Sequence, residues 1–171
     1  FRTMLDKAKD QQERKIMLAG KVEDMINTVV RQIAFYDFEC KLHDARKSGE
    51  LTPDGINALW MSVQGESLGP AFEFMEGYET FWAYIPHFVH SPFYVYAYAF
   101  GDGLVNALYA VYQDQPEGFQ DKYFDMLRAG GSMHHSDLLA PFGLDAADPK
   151  FWDKGLSMIS DMIDELEAME A

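Results

Sequence analysis

The stretch from Phe81 to Gly103, FWAYIPHFVHSPFYVYAYAFGDG, constrains this chain more than any other: it holds nine aromatics, two histidines and two prolines. A core absorbs phenylalanines readily, but the hydroxyls of Tyr84, Tyr94, Tyr96 and Tyr98 each need a partner once buried, so some of them are expected to face a cavity. Pro92 suits the first turn of a helix, where a missing N–H costs nothing, and no breaker follows before Gly101. Ser91 therefore reads as the N-cap of a helix. Leu104, Val105, Leu108, Val111 and Tyr112 carry its apolar pattern past Gly101-Asp102-Gly103 to about Gln113. On this helix Tyr94 and Tyr98 share a face one turn apart, and Tyr96 points elsewhere. His87 and His90, between Pro86 and Pro92, sit at its mouth. Apolar on most sides, it is expected to be the central buried helix.

The remaining segments between breakers all carry helical spacing or helix caps. They predict an all-α chain with no sheet, read as a single helical domain over residues 1–171. No proline occurs from Arg2 to Ala45, where Val22, Met25, Ile26, Val29 and Ile33 form a helical stripe and Gly20 is the expected split. The charged run DKAKDQQERK at its start reads as solvated helix. Gly49 ends this region, and Thr52-Pro53 gives an N-cap with proline at the first helical position for a helix to about Gln64. Gly65 to Thr80 reads as irregular. Pro116 opens a helix over Glu117–Ala129 with Phe119, Tyr123, Phe124 and Leu127 inward. Ser136 caps a short helix that stops at Gly143. Asp148-Pro149 starts the last helix, Lys150 to about Glu170, which buries Phe151, Trp152, Leu156, Ile159, Ile163 and Leu166. Its acidic end opposes the helix dipole and is expected to fray.

Composition excludes several functions. A hydrophobic content of 48% with 15% aromatic residues argues against disorder. A net charge of −14, from 28 acidic and 14 basic residues, opposes nucleic acid and anionic membranes as partners. The single cysteine, Cys40, cannot form an internal disulfide and fits a reducing cytoplasm, the expected location. Glu39 and His43, one turn apart, have the spacing of a metal-ligand pair but read better as a surface pair or a docking hydrogen bond. Arg31, among apolar neighbours, reads as a structural ion pair rather than a clamp for a substrate carboxylate.

Several segments carry a family resemblance. PHFVHSPFYVYAYAFG, followed by LRAGGS and LLAPFGLD, resembles the C-terminal part of the oligoendopeptidase F family, thimet-oligopeptidase-like zinc metallopeptidases that cleave short peptides. Upstream, VVRQIAFYDFECKLH, the GELT at Gly49–Thr52 and FWAYIPHF are similar in the same order, so the resemblance covers nearly the whole chain. The zinc motif of those enzymes, H-E-x-x-H, does not occur in this sequence. The resemblance thus implies a C-terminal fragment of a larger peptidase, inactive by itself, with zinc as the cofactor of the full-length enzyme and its ligands outside this chain. It implies an oligopeptide substrate and, as a partner, the N-terminal part of the same protein. Homodimerisation through an apolar face left exposed is the other expectation.

The resemblance also implies roles for residues. His87, Tyr94 and Tyr98 are the expected catalytic set, placing a donor where the oxyanion of peptide hydrolysis develops. Tyr96, His90 and Gly130, Gly131 and Ser132 are expected to bind substrate; a helix C-cap is the plainer role for the first of these glycines. The other functional class open to these residues is a helical module whose aromatic groove holds a peptide or apolar ligand without chemistry.

Overall fold

The computed structural model of the chain describes residues 1–169. The expected end of the last helix at Glu170 lies outside them. Among the described residues there are helices, turns and no strand, so the fold is all-α. The chain divides into two compact units, one formed by Ile26–Phe100 and the other by Phe1–Met25 together with the chain from Gly101 onward. The α-helices are α1 (Arg2–Leu5), α2 (Gln11–Thr28), α3 (Val30–Arg46), α4 (Pro53–Leu68), α5 (His87–His90), α6 (Tyr96–Asp114), α7 (Phe119–Ala129), α8 (His135–Leu139) and α9 (Pro149–Ala168).

Local chemistry explains most helix ends. Thr52 Oγ1 accepts the Gly55 N–H at 3.2 Å and Pro53 opens α4, while Asp148 accepts the Lys150 N–H at 3.0 Å and Pro149 opens α9. The first helical region breaks at Asp6–Asp10 and at Val29, not at Gly20, which sits inside α2. Asp10 accepts the Glu13 N–H at 2.8 Å and the Glu13 carboxylate reaches back to the Lys9 N–H at 2.7 Å, a reciprocal cap that starts α2 afresh. At α8 the cap is His134, whose Nδ1 faces the Ser136 N–H, rather than Ser136. α4 continues through Gly65 to Leu68, where Gly69 at φ 68° ends it.

In the unit 26–100, α3 packs on α4 around Phe35, Phe38, Trp60 and Val63, with Ile85 and Val95 completing the core. The segment after α4 is tied down by indole hydrogen bonds: Trp60 Nε1 donates to the Tyr78 carbonyl at 3.0 Å and Trp82 Nε1 to Asn57 Oδ1 at 2.8 Å. The Tyr78 hydroxyl donates to Gln64 Oε1 at 3.1 Å. These bonds order Tyr78–Tyr84 as a 3₁₀ helix. Arg31 makes no ion pair among the described residues; its guanidinium lies over the Phe35 ring, 5.3 Å from the centroid.

The other unit packs α6, α7, α8 and α9 around Ala107, Leu108, Leu139, Phe142 and Phe151. α6 runs unbroken through Gly101-Asp102-Gly103, as expected, and Gly103 has a packing reason to be glycine. A Cβ at Gly103 would stand 3.0 Å from the Trp152 ring, and one at Gly155 would stand 3.2 Å from Gly103 Cα. Two glycines face to face thus let α6 and α9 approach closely. On α9 the inward set is accordingly Phe151, Gly155, Ile159 and Met162, and Leu156 faces out.

α6 is not buried all round. Val95 just before it and Ala99, Asn106, Ala107 and Leu108 within it point inward, while Tyr96, Tyr98, Val105, Tyr109 and Tyr112 are exposed. On α7, Phe119 and Met126 pack on the core, whereas Tyr123, Phe124 and Leu127 face out, against the inward reading of all three. Together, Val105, Tyr109, Tyr112, Phe119, Tyr123 and Phe124 line an apolar groove of about 560 Å³.

The charged start of the chain is not wholly solvated. Arg14, half-buried, and Arg2 both bond Glu165 of α9, Arg2 at 2.8 Å. The hydrogen bonds from Arg14 and then Arg2 hold the Glu165 carboxyl below its ordinary value. A depressed folded pKa means stabilisation that is fully present above the ordinary glutamate range and lost as pH falls through the folded value. Glu165→Gln is therefore expected to cost on the order of 1 kcal/mol near pH 7, the difference from the parent shrinking as pH falls below the ordinary glutamate range in paired thermal melts. A constant difference across that range would show that the ion pair contributes nothing.

Candidate functional site

The site forms where the chain reverses between α5 and α6. Ser91 closes α5, donating its N–H to the His87 carbonyl at 2.9 Å, and its own carbonyl accepts the Tyr94 N–H at 3.1 Å. Ser91 and Pro92 thus do not start the aromatic helix; they form a β-turn with Pro92 second and Phe93, at φ 59°, third. That is the type II pattern, and α6 begins only at Tyr96. The same Ser-Pro pair suits a helix start or a turn, and here the Phe93 N–H is drawn away to an acceptor on α3.

The turn brings His87, Tyr94 and Tyr98 together. His87 Nε2 and the Tyr98 hydroxyl are 3.0 Å apart, a hydrogen bond. The Tyr94 ring lies parallel to the His87 imidazole, at 4° and 6.3 Å between centroids, and meets the Tyr98 ring edge-on at 5.7 Å and 89°. Tyr94 reaches this place from the turn and Tyr98 from the first turn of α6, so they meet without sharing a helix. Tyr94 and Tyr98 are 52% and 41% exposed, so the pair is not sealed in the core. Tyr96 points away and packs edge-on against Tyr36 at 5.7 Å. His90 is exposed at the end of α5.

Gly130–Ser132 belong to the other unit and form a 3₁₀ turn after α7. Gly130, at φ 54°, caps α7 by donating its N–H to the Met126 carbonyl, and the Ser132 hydroxyl donates to the Ala129 carbonyl at 2.7 Å.

Under the His87 turn lies a carboxylate that the sequence signalled through its neighbours. Glu39 sits on α3 among Phe35, Phe38 and Leu42, the spacing of a core stripe, and is fully buried rather than at the surface. Its Oε1 accepts the Phe93 N–H at 2.9 Å; its Oε2 has no hydrogen-bond partner among the described residues. Burial pushes its carboxyl above the ordinary value, while the Phe93 N–H and the nearby His43 and His87 pull the other way. The His43 ring lies against Phe93, 4.8 Å between centroids. Glu39 and His43 are thus spent on the turn. Among the described residues no three His, Cys, Asp or Glu side chains converge in a way that could hold a metal ion, and the residues present do not form a zinc site.

The described residues thus form an all-helical chain that brings one histidine against two tyrosines. Residues 2–158 match the model of peptidase family M3, and the chain belongs to that family. It is similar to oligopeptidase PepF of Bacillus subtilis (strain 168), 29% identical over 97% of this chain and 25% of the relative. It is also similar to the plasmid oligoendopeptidase F of Lactococcus lactis subsp. cremoris, 30% identical over 98% of this chain and 28% of the relative. The crystal structure of oligoendopeptidase-F from Enterococcus faecium superposes with a TM-score of 0.87 at 25% identity, over 98% of this chain and 32% of that one. The chain therefore spans about a quarter of the length of the curated relatives it matches. Among the described residues no helix is long and apolar enough to cross a membrane.

Proposed function

We propose that this chain is the C-terminal, substrate-facing portion of a zinc-dependent M3 oligopeptidase, and that His87 and Tyr98, with Tyr94 stacked beside them, stabilise the oxyanion formed on the scissile carbonyl of a short peptide. The observation that carries this reading is the 3.0 Å bond between His87 Nε2 and the Tyr98 hydroxyl on a half-exposed face. When the imidazole N–H donates to the Tyr98 oxygen, the phenolic proton is free to point at the substrate. A phenol held in this way donates to a developing negative charge with little reorganisation. His90 and, in the other unit, Gly130, Gly131 and Ser132 are assigned to substrate contact by resemblance alone; Tyr96 is held in reserve.

Zinc, in this reading, is bound by residues outside this chain. The rest of the longer protein is then the natural partner. The chain's share of its relatives' length and the exposed apolar groove between α6 and α7 both support that partnership. The test is a fluorogenic oligopeptide assay on the longer protein and on the 171-residue chain side by side. Cleavage by the longer protein alone is expected. Chelator-sensitive cleavage by the isolated chain, or stoichiometric zinc retained by it after dialysis, would overturn the division of labour.

A further inference from the structure

We propose that Glu39 is a positioning residue for this site: from the core it holds the Phe93 N–H, and through it the left-handed turn that lays Tyr94 on His87. The inference rests on the reading of His87, Tyr94 and Tyr98 as substrate-facing groups. Its physical basis begins at Phe93. The third position of a type II turn favours glycine or asparagine, because a side chain at positive φ crowds the backbone. A phenylalanine at φ 59° persists there only when its surroundings over-determine it. Those surroundings come from one face of α3. Tyr36 meets the Phe93 ring edge-on at 6.1 Å, Glu39 takes its N–H at 2.9 Å, and His43 lies against its ring at 4.8 Å.

Of these three, Glu39 is the one whose chemistry is out of place. A leucine would fill a core position beside Phe35 and Phe38 without the cost of burying a carboxylate. What the carboxylate adds is an acceptor aimed at a single N–H that no helix bond satisfies. The residue carrying that N–H is followed directly by Tyr94, whose ring is parallel to His87 within 4°. Glu39 therefore acts on the site through the backbone, with no contact to a substrate.

Glu39→Met keeps the side-chain volume, removes the acceptor and removes the buried charge, so the fold is expected to survive it. In the longer oligopeptidase it should lower kcat roughly ten- to a hundredfold with KM nearly unchanged, because a donor has been displaced and no substrate contact deleted. Glu39→Gln, which keeps an acceptor oxygen, should stay within about threefold of the parent. In the 171-residue chain, NOEs between the ring protons of His87 and Tyr94 should be lost in Glu39→Met and kept in Glu39→Gln. Glu39→Met that keeps these NOEs overturns the proposal, as does Glu39→Gln that loses as much as Glu39→Met. Lost NOEs with unchanged kcat uphold the positioning and overturn instead the catalytic reading of the three residues. Should Glu39→Met fail to fold, the parent chain decides: the Phe93 amide, although in an exposed turn, should exchange at least about tenfold more slowly than an unprotected amide. Exchange at the unprotected rate overturns the proposal.

Discussion

Tyr98→Phe in the longer oligopeptidase is expected to lower kcat by a factor of roughly 100 to 1,000, about 3 kcal/mol, while KM moves little. The substitution deletes the hydroxyl that faces His87 Nε2 at 3.0 Å and keeps the ring that meets Tyr94 edge-on. What is lost is a donor that acts on charge appearing only in the transition state, so the effect falls on the chemical step. Tyr94→Phe tests the neighbouring hydroxyl in the same way, with the stack on His87 intact. Tyr96→Phe is the internal control: its ring packs on Tyr36, away from the imidazole, so kcat should hold while stability shifts modestly. If Tyr94→Phe and Tyr98→Phe both leave kcat within about threefold of the parent, the oxyanion role is wrong; if Tyr96→Phe alone abolishes turnover, the wrong face has been chosen.

Phe38→Ala is expected to destabilise the unit 26–100 by about 3–5 kcal/mol, a large share of the 5–15 kcal/mol that holds a typical domain together. Phe38 is fully buried between Trp60, edge-on at 5.3 Å, and Phe88 at 5.2 Å, so truncation leaves a cavity walled by rigid rings that cannot collapse into it. Because Phe88 adjoins His87, loss of its support should also loosen the site. Urea unfolding followed by tryptophan fluorescence in a Trp152→Phe background, which leaves Trp60 and Trp82 of this unit, measures the first effect, and a midpoint shift worth less than about 1 kcal/mol would mean that this core is not packed as described.

How much of this was legible in the sequence depends on how local the cause is. Thr52-Pro53 and Asp148-Pro149 announced their helices correctly because a cap is a hydrogen bond between residues two or three apart. Gly130, at positive φ, ended its helix for a reason equally local, and Gly143 closes the 3₁₀ turn Ala140–Phe142 that follows α8. The all-α fold and the family followed from such short stretches in order. The start of α2 is also written locally, in Asp10 and Glu13, whereas Gly20 lies inside the helix.

Which face of each helix is buried was settled by tertiary structure. Apolar residues lie on more than one side of α6 and α7, so periodicity cannot choose among them; the partner does, and it took Phe119 and Met126 while leaving Tyr123, Phe124 and Leu127 outside. Gly103 reads in the sequence only as a residue the helix passes through and is a contact point in the fold, because Trp152 and Gly155, some fifty residues on, require its bare Cα. The turn at Ser91–Tyr94 is the sharpest case. Locally, Ser-Pro-Phe favours the helix start, because a type II turn sets Phe93 at positive φ, and the choice is made by Glu39, whose carboxylate comes from far back in the chain to take the Phe93 N–H. A bond between residues 54 apart in sequence leaves no trace in local spacing; only the packing of α3 beneath the turn could place it.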